Sequence, residues 1–101
     1  MGAFNNAGML ITQDLTEMDD ETWDKMYHTN VRSVMNMTKL FMPMLAEARG
    51  VVLNNASIEG IRTAGRRSYL YATTKAAVVK FSQLCALNYA ETVRVNCLCP
   101  G

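Results

Sequence analysis

A short, wholly apolar segment lies between two long segments of helical periodicity, and this alternation constrains the fold more than any other feature. The short segment, 51–53, is bounded by turn-forming residues, which is typical of a strand buried on both faces of a sheet. Further strand signals lie at 2–6 and 93–99. The order strand, helix, strand, helix, strand predicts an α/β fold with a parallel sheet and right-handed helical crossovers.

The first helical segment is predicted over 20–48. Asp20 is the candidate N-cap, and Glu21 follows in the first turn, where a carboxylate suits the helix dipole. The apolar residues recur at helical spacing, as Trp23, Met26, Tyr27, Val31, Val34, Met37, Phe41, Met44 and Ala48. Pro43 should kink the last turns or end the helix early, and Gly50 marks its limit.

The second helical segment is predicted over 68–90. Its apolar residues are Ala76, Ala77, Val78, Phe81, Leu84, Cys85 and Leu87. Segments 9–19 and 60–67 are predicted to be loops. Because no repeat, linker or low-complexity stretch interrupts the pattern, we expect residues 1–101 to form one unit.

Composition excludes several classes of function. The formal net charge is +1, so the charge excess typical of nucleic-acid-binding surfaces is missing. Apolar runs stop well before the ~20 residues of a membrane span, and polar residues interrupt the stretch where a signal peptide would need its apolar region. The 3 cysteines and 1 histidine lack the spacing of a metal site. We therefore expect a cytoplasmic protein with reduced thiols, no metal, and no nucleic-acid or membrane partner.

The most specific chemical feature is Tyr71, followed four residues later by Lys75, which places both side chains on one face of the second helix. A tyrosine must lose its proton to act as a base, and a neighbouring ammonium stabilises the phenolate. Tyr69 is an internal comparison, because the residue four positions later is the uncharged Thr73. A surface pair without function is the alternative interpretation of this spacing taken alone.

Two further polar residues fall where a parallel α/β fold places functional groups. Ser57 follows the buried strand, at the edge where the strands end, and its hydroxyl either polarises a substrate carbonyl or only caps a turn. Asn30 interrupts the apolar stripe, where a buried amide needs a hydrogen-bond partner. It either serves helix packing or holds a water or a lysine inside a site. Similarly, Arg62, Arg66 and Arg67 either line a solvated loop or meet an anionic substrate.

Taken together, these residues resemble the middle of a short-chain dehydrogenase/reductase. The matching positions follow the family's order and nearly its spacing, as Asn5-Asn6-Ala7-Gly8, Asn30, Ser57, Tyr71-x-x-x-Lys75 and Asn96-x-x-x-Pro100-Gly101. The resemblance covers essentially the whole chain and implies a partial Rossmann-like, doubly wound parallel sheet. It also implies an oxidoreductase that transfers hydride between a nicotinamide cofactor, NAD or NADP, and a small-molecule alcohol or carbonyl substrate.

The resemblance gives four of these residues catalytic roles. Tyr71 would be the general acid/base, and Lys75 would activate it and bind the nicotinamide ribose. Ser57 would polarise the substrate carbonyl. Asn30 would anchor a water in a proton relay that reaches Lys75.

Other matching positions would bind the cofactor together with Tyr71 and Lys75. Asn6, Ala7 and Gly8 resemble the turn that passes the adenosine ribose. Pro100 and Gly101 resemble the loop whose backbone meets the nicotinamide carboxamide.

The resemblance also implies an assembly. In this family the two long helices commonly pack against a second subunit, so a homodimer or homotetramer is expected of the full-length protein. Four methionines would contribute either to that interface or to the domain's own core, namely Met35, Met37, Met42 and Met44.

The sequence departs from the family pattern at both ends. Residues 1–101 do not include the family's glycine-rich strand-to-helix turn or the segment that forms its substrate loop. We therefore expect a single partial domain, 1–101, with negligible dehydrogenase activity by itself. Neither the substrate nor the choice between NAD and NADP can be read from these residues. The alternative function is an inactive fragment or remnant that at most associates with homologous subunits.

Overall fold

A three-stranded parallel sheet forms the centre of the structure. The computed structural model describes residues 1–6, 8–63 and 67–100. Across the sheet the strands lie in the order β1 (Gly2–Asn5), β2 (Val51–Asn55) and β3 (Arg94–Leu98). Both pairings are parallel, with Phe4 opposite Leu53 and Leu53 opposite Asn96. The predicted α/β class and the order of its strands and helices are confirmed.

Helices connect the strands in both crossovers. The α-helices are α1 (Asp20–Tyr27), α2 (Ser33–Glu47) and α3 (Tyr69–Asn88). A π-helical turn at His28–Arg32 joins α1 to α2, and short 3-10 turns lie at Leu15–Glu17 and Ile58–Gly60.

The N-cap of α1 is Asp19 and not Asp20, so the predicted cap is wrong by one residue. Asp19 has an extended backbone, and its carboxylate accepts a hydrogen bond from the Thr22 N–H at 2.8 Å. This hydrogen bond lowers the pKa of the Asp19 carboxyl. Both aspartates satisfy the residue preference of a cap, and only the backbone conformation distinguishes them.

The helix predicted over 20–48 is interrupted by the π-helical turn at His28–Arg32. A π-turn holds one residue more than an α-turn and is frequently found at functional sites. Asn30, in the middle of this turn, is fully buried. Helix α2 then runs through Pro43 to Glu47, so the proline does not end it early.

Part of the predicted apolar stripe faces outward. Trp23, Met37 and Met44 are 46%, 43% and 46% exposed. Helix α2 instead buries a different set of residues, namely Val34, Thr38, Met42 and Leu45. Burial of Thr38 is tolerated because Asn5 donates a hydrogen bond to its hydroxyl at 3.4 Å. The stripe was misplaced because apolarity alone does not show which residues are buried.

Helices α2 and α3 pack against one face of the sheet. Together they form the main core, which consists of Met42, Leu45, Val52, Cys85, Val93 and Val95. On β2, Val52 is fully buried, whereas Val51 and Leu53 on the opposite face keep partial exposure. The expectation that both faces of β2 are buried is therefore wrong for the described residues, because both long helices cover the Val52 face.

The buried face of α3 is partly polar. It comprises Leu70, Thr74, Lys75, Val78, Ser82 and Cys85. Leu84 and Leu87, which the apolar pattern assigned to this face, are instead 50% and 76% exposed. The buried positions of α3 thus include a lysine and a threonine, whereas the two leucines are exposed. This arrangement indicates that the buried face of α3 has a function besides stabilising the fold.

A hydrogen-bonded group that we call the core network joins β1 and β2 to the helices. Asn5 Nδ2 donates to Asn54 Oδ1 at 2.8 Å and to Thr38 Oγ1 at 3.4 Å. Asn54 Nδ2 donates to Ser82 Oγ at 2.9 Å, and Ser82 Oγ donates to the Val78 carbonyl at 2.8 Å. The core network therefore fixes the sheet against both long helices through side-chain hydrogen bonds.

None of the helices described is both long enough and apolar enough to cross a membrane. Nowhere in the described ranges do three or more His, Cys, Asp or Glu side chains come together as metal ligands would.

Candidate active site

The carboxyl ends of β2 and β3 hold several of the predicted residues close together. Pairing continues past both strands, because the Ala56 N–H donates to the Leu98 carbonyl at 2.7 Å and the Ile58 N–H donates to the Pro100 carbonyl at 2.8 Å. Ile58 directly follows Ser57, so Pro100 is held beside this serine. This is the edge of a parallel sheet at which ligands bind.

Tyr71 and Lys75 lie on the same side of α3. The Nζ atom of Lys75 is 5.6 Å from the centroid of the Tyr71 ring, within the range of a cation–π contact. Tyr71 is half-buried, whereas the comparison residue Tyr69 is 47% exposed. The spacing of four residues therefore does bring the phenol and the ammonium together.

Lys75 is only 4% exposed, which is rare for a lysine. Its Nζ donates to the Asn55 carbonyl at 3.5 Å, and none of the described acidic side chains forms an ion pair with it. Burial lowers the pKa of Lys75, and the charge of Cys97 opposes this shift. Since an ammonium has three N–H donors, Lys75 keeps donors available for a ligand.

Gly8 brings the loop after β1 up to this ammonium. A Cβ atom placed on Gly8 would lie 3.2 Å from Lys75 Nζ and 4.0 Å from Asn30 Oδ1. A side chain at this position would therefore crowd the lysine, which explains why a glycine suits it.

Asn30 ties that loop to α3. Its Oδ1 accepts from the Met9 N–H at 2.8 Å, and its Nδ2 donates to the Met9 carbonyl at 2.9 Å and to Thr74 Oγ1 at 3.0 Å. Thr74 Oγ1 in turn donates to the Tyr71 carbonyl at 2.7 Å. We call these contacts the site network. Asn30 thus has a packing role that extends to the loop, and its predicted water relay stays a prediction.

Ser57 caps the turn Ile58–Gly60, because its Oγ accepts a hydrogen bond from the Glu59 N–H at 3.3 Å. Ser57 therefore does cap a turn, its catalytic role stays a prediction, and none of the described residues accepts its hydroxyl hydrogen. The same turn presses against α3, since a Cβ on Gly60 would lie 2.8 Å from the carbonyl carbon and oxygen of Lys75. Ser57 is thereby held close to the part of α3 that carries the lysine.

The other predicted cofactor-binding positions are partly described. Asn6 Oδ1 accepts a hydrogen bond from Asn55 Nδ2 at 2.6 Å, which links the ends of β1 and β2. Ala7 and Gly101 were also predicted to bind the cofactor, and both lie outside the described residues, as does Arg66.

The loop arginines that are described are Arg62 and Arg67. Arg67 forms ion pairs with Asp14 at 2.6 Å and with Glu17 at 3.5 Å, and Arg62 is exposed. These contacts favour the interpretation of a solvated loop for both residues.

Two contributing residues were missed by sequence reasoning. Thr74 is fully buried and links Asn30 to the Tyr71 carbonyl, and its position three residues after Tyr71 was a usable signal. Asn55 acts through its backbone carbonyl, which receives the Lys75 ammonium. No side-chain pattern indicates a contact of that kind.

Comparison with known sequences agrees with this geometry. The sequence model described as short chain dehydrogenase matches residues 2–101. The chain therefore belongs to the short-chain dehydrogenase family. Among its relatives, 3beta-hydroxysteroid dehydrogenase 2 of Eggerthella lenta is 38% identical over 101 residues, which cover 96% of this chain and 38% of that protein.

Solved structures of similar proteins share the fold. The structure of ElxO with NADP bound matches 99% of this chain at a TM-score of 0.93 and 28% identity, over 41% of its own length. A 3-oxoacyl-[acyl-carrier protein] reductase from Brucella melitensis with bound NAD matches 99% at a TM-score of 0.91 and 27% identity, also over 41% of its length. The chain thus has a Rossmann-like fold and spans 38–41% of the length of these proteins.

Proposed function

We propose that this chain is the catalytic segment of an NAD(P)-dependent oxidoreductase and part of a larger dinucleotide-binding domain. The whole protein would transfer hydride between a nicotinamide cofactor and a small alcohol or carbonyl substrate. The observation that carries the proposal is the position of the buried Lys75 ammonium, 5.6 Å from the Tyr71 ring. Because the chain spans 38–41% of similar proteins, the activity is assigned to the longer protein.

Tyr71 is the proposed general acid/base. Its hydroxyl donates to none of the described residues, so it is available to a substrate oxygen. Charge interactions are stronger in a buried environment than in water, and the Lys75 ammonium therefore stabilises the phenolate that forms when Tyr71 gives up its proton. In carbonyl reduction Tyr71 Oη would donate its proton to the substrate oxygen, and in alcohol oxidation the phenolate would accept the proton of the substrate hydroxyl.

Ser57 is the proposed donor to the substrate carbonyl oxygen. Its Oγ already accepts the Glu59 N–H, so the orientation of the hydroxyl is restrained while its hydrogen stays free. A donor that is fixed in advance stabilises the negative charge that develops on the oxygen. Asn30 contributes by holding the loop after β1 and the Thr74 turn in place. Its further role as the anchor of a proton-relay water rests on the family resemblance.

The surroundings of Lys75 fit a cofactor that carries a ribose. The N–H donors that no described residue accepts suit ribose hydroxyls, and Gly8 places no side chain against the ammonium. The residues proposed to hold the cofactor are Asn6, Ala7, Gly8, Tyr71, Lys75, Pro100 and Gly101. When bound, the nicotinamide supplies or accepts the hydride. One similar structure holds NADP and another holds NAD, so either cofactor is proposed.

A second candidate function is association with homologous subunits without catalysis, and exposed apolar side chains favour it. Met35 on α2 is 39% exposed, and Leu84 and Leu87 on α3 are 50% and 76% exposed. Of the methionines predicted for either core or interface, Met42 lies in the core, whereas Met35, Met37 and Met44 are exposed. An oligomer built through these helices is also the assembly that we propose for an active full-length protein.

The test is Tyr71→Phe in the full-length protein, with Tyr69→Phe as the matched control. Loss of the Tyr71 hydroxyl removes the proton donor, so turnover should fall by about 10²–10⁴-fold. Turnover is followed by nicotinamide absorbance on a panel of alcohols and ketones with both cofactors, and cofactor binding by nicotinamide fluorescence. Tyr69→Phe should leave both turnover and binding unchanged.

The outcomes separate the two candidate functions. Cofactor binding without turnover in Tyr71→Phe, beside an active Tyr69→Phe, supports the enzyme. Full activity of Tyr71→Phe contradicts the assignment of the acid/base. A wild-type full-length protein that neither binds cofactor nor turns over any substrate, yet co-purifies with a homologous enzyme, favours the associating fragment.

A further inference from the structure

Two thiols lie beside the candidate active site and take no part in its proposed chemistry. Cys97 is on β3 and Cys99 directly follows the strand, so their side chains point to the same face of the sheet. Both pack against one small apolar cluster near the strand ends, made of Val34, Ala56 and Val78. The two thiols are therefore neighbours in a defined place.

The thiol pair lies close to Lys75. Val79, one turn along α3 from Lys75, packs against the same apolar cluster as Cys97 and Cys99. The charge of Cys97 opposes the lowering of the Lys75 pKa by burial.

The two thiols lie on one face of the sheet and are partly exposed. Burial, and to a lesser extent the charge of Cys97, raises the pKa of the Cys99 thiol. The Cys97 Sγ otherwise reaches only the Leu98 carbonyl, at 3.9 Å. Both cysteines are partly exposed, whereas Cys85 is buried in the core. The pair therefore offers two partly exposed thiols on one face of the sheet, which a bridging ligand needs.

We propose that Cys97 and Cys99 form a dithiol site for trivalent arsenicals and related soft, thiophilic ligands at the edge of the candidate active site. With phenylarsine oxide, two As–S bonds form and the As–O double bond breaks. The oxygen leaves as water with the two thiol protons, and arsenic stays trivalent, so no oxidant is needed. A bridging atom suits two cysteines two residues apart, because a direct disulfide between them would demand a short Cα–Cα distance.

The site does not depend on the proposed oxidoreductase function, so its test uses binding and not activity. Phenylarsine oxide is added at one equivalent to the folded 101-residue chain, which is then digested with trypsin under thiol-free conditions. Cleavage after Arg94 releases peptide 95–101 with both Cys97 and Cys99, whereas Cys85 lies in peptide 81–94. We expect one arsenic per chain, on peptide 95–101. An adduct on peptide 81–94, or none, overturns the proposal.

The urea midpoint of unfolding distinguishes a preorganised site from any flexible pair of thiols. A ligand that binds the folded chain more tightly than the unfolded chain raises the urea midpoint of unfolding. We therefore expect one equivalent of phenylarsine oxide to raise that midpoint in the wild type. An unchanged or lowered midpoint overturns the proposal even if the adduct forms, because the thiols would then not be held in the bridging arrangement.

Serine variants of the three cysteines show which thiols bind the arsenic. Cys85→Ser is the matched control and should keep both the adduct and the midpoint shift. Cys97→Ser and Cys99→Ser should each lose the bridged adduct and the shift, and retention of either in these variants contradicts the site. Should a serine variant fail to fold, the peptide map and the midpoint of the wild type still decide the question.

Discussion

The core network and the site network join the same sheet to the same helices, but they differ in how completely their polar groups are paired. In the core network, the side chains of Asn5, Thr38, Asn54 and Ser82 satisfy one another or a backbone carbonyl. None of their buried atoms lacks a partner. The site network is equally well paired at Asn30, yet it borders Lys75, whose N–H donors are mostly free.

This difference in hydrogen bonding distinguishes residues that stabilise the fold from residues that are available to a ligand. A closed group of buried hydrogen bonds holds elements in register and has nothing left to offer a ligand. An incompletely paired buried ammonium costs free energy in the folded chain, and this cost is expected where a group must meet a substrate or cofactor. Substitutions in the core network should therefore reduce stability strongly, and a substitution at Lys75 should not.

The largest expected effect on stability comes from Asn54→Ala. The change leaves Asn5 and Ser82 without their partner and opens a small cavity, so the free energy of unfolding should fall by about 3 kcal/mol. Asn55→Ala is the matched control on the same strand. It loses one peripheral hydrogen bond to Asn6 and should cost at most about 1 kcal/mol. Urea unfolding measures both, and equal costs would contradict the comparison.

A smaller effect is expected from Thr74→Val, which keeps the shape of the side chain but removes its hydroxyl. The Asn30 amide then loses an acceptor and the Tyr71 carbonyl loses a donor, so unfolding should become easier by about 1–2 kcal/mol. Thr74→Ser retains the hydroxyl and should recover most of this loss in the same urea titration. If valine and serine behave alike, the hydroxyl does not act as the link in the site network.

The smallest effect, opposite in sign, is expected from Lys75→Met. Because burial lowers the pKa of Lys75 below its usual 10.5, the unfolded chain binds more protons between the two values. The wild type should therefore gain stability as pH rises through that window, and at neutral pH it carries the full cost of the buried charge. Lys75→Met should be slightly more stable at pH 7, with the advantage shrinking toward pH 10. A loss of stability at pH 7 would show that Lys75 is adequately paired.

The centre of the candidate site was predictable because it depends on spacing and chain order. A separation of four residues on a helix fixes Tyr71 and Lys75 to one face, and the end of a parallel strand fixes the edge at which Ser57 lies. The positions of Thr74 and Gly8 relative to Lys75 depend on how the loop after β1 packs. That packing is set by hydrogen bonds between the Asn30 side chain and the Met9 backbone. The pattern of side chains in the sequence does not predict such contacts with the backbone.

The order of strands and helices was predictable for a similar reason, since the period of the apolar residues differs between the two. The buried face of α2 was not, because Thr38 takes a core position that a hydrophobic count assigns to Met37 or Met44. Asp19 and Asp20 are the same residue type, so the sequence does not show which of them is the N-cap. They differ in their backbone angles. Apolar patterning thus predicts where the helices and strands lie. Hydrogen bonding between polar groups determines which face of each one is buried.

The π-helical turn at His28–Arg32 has a consequence for comparing length variants of this chain. A homologue with one residue fewer there would close the turn to ordinary α geometry and keep an unbroken helix. Because the π-turn absorbs one extra residue, its loss would leave the faces of α1 and α2 nearly unchanged, whereas within the turn the Asn30 amide would leave Met9 and Thr74. A one-residue gap at this place in an alignment would therefore leave the fold nearly unchanged. It would nevertheless remove the hydrogen bonds that hold the loop after β1 beside Lys75.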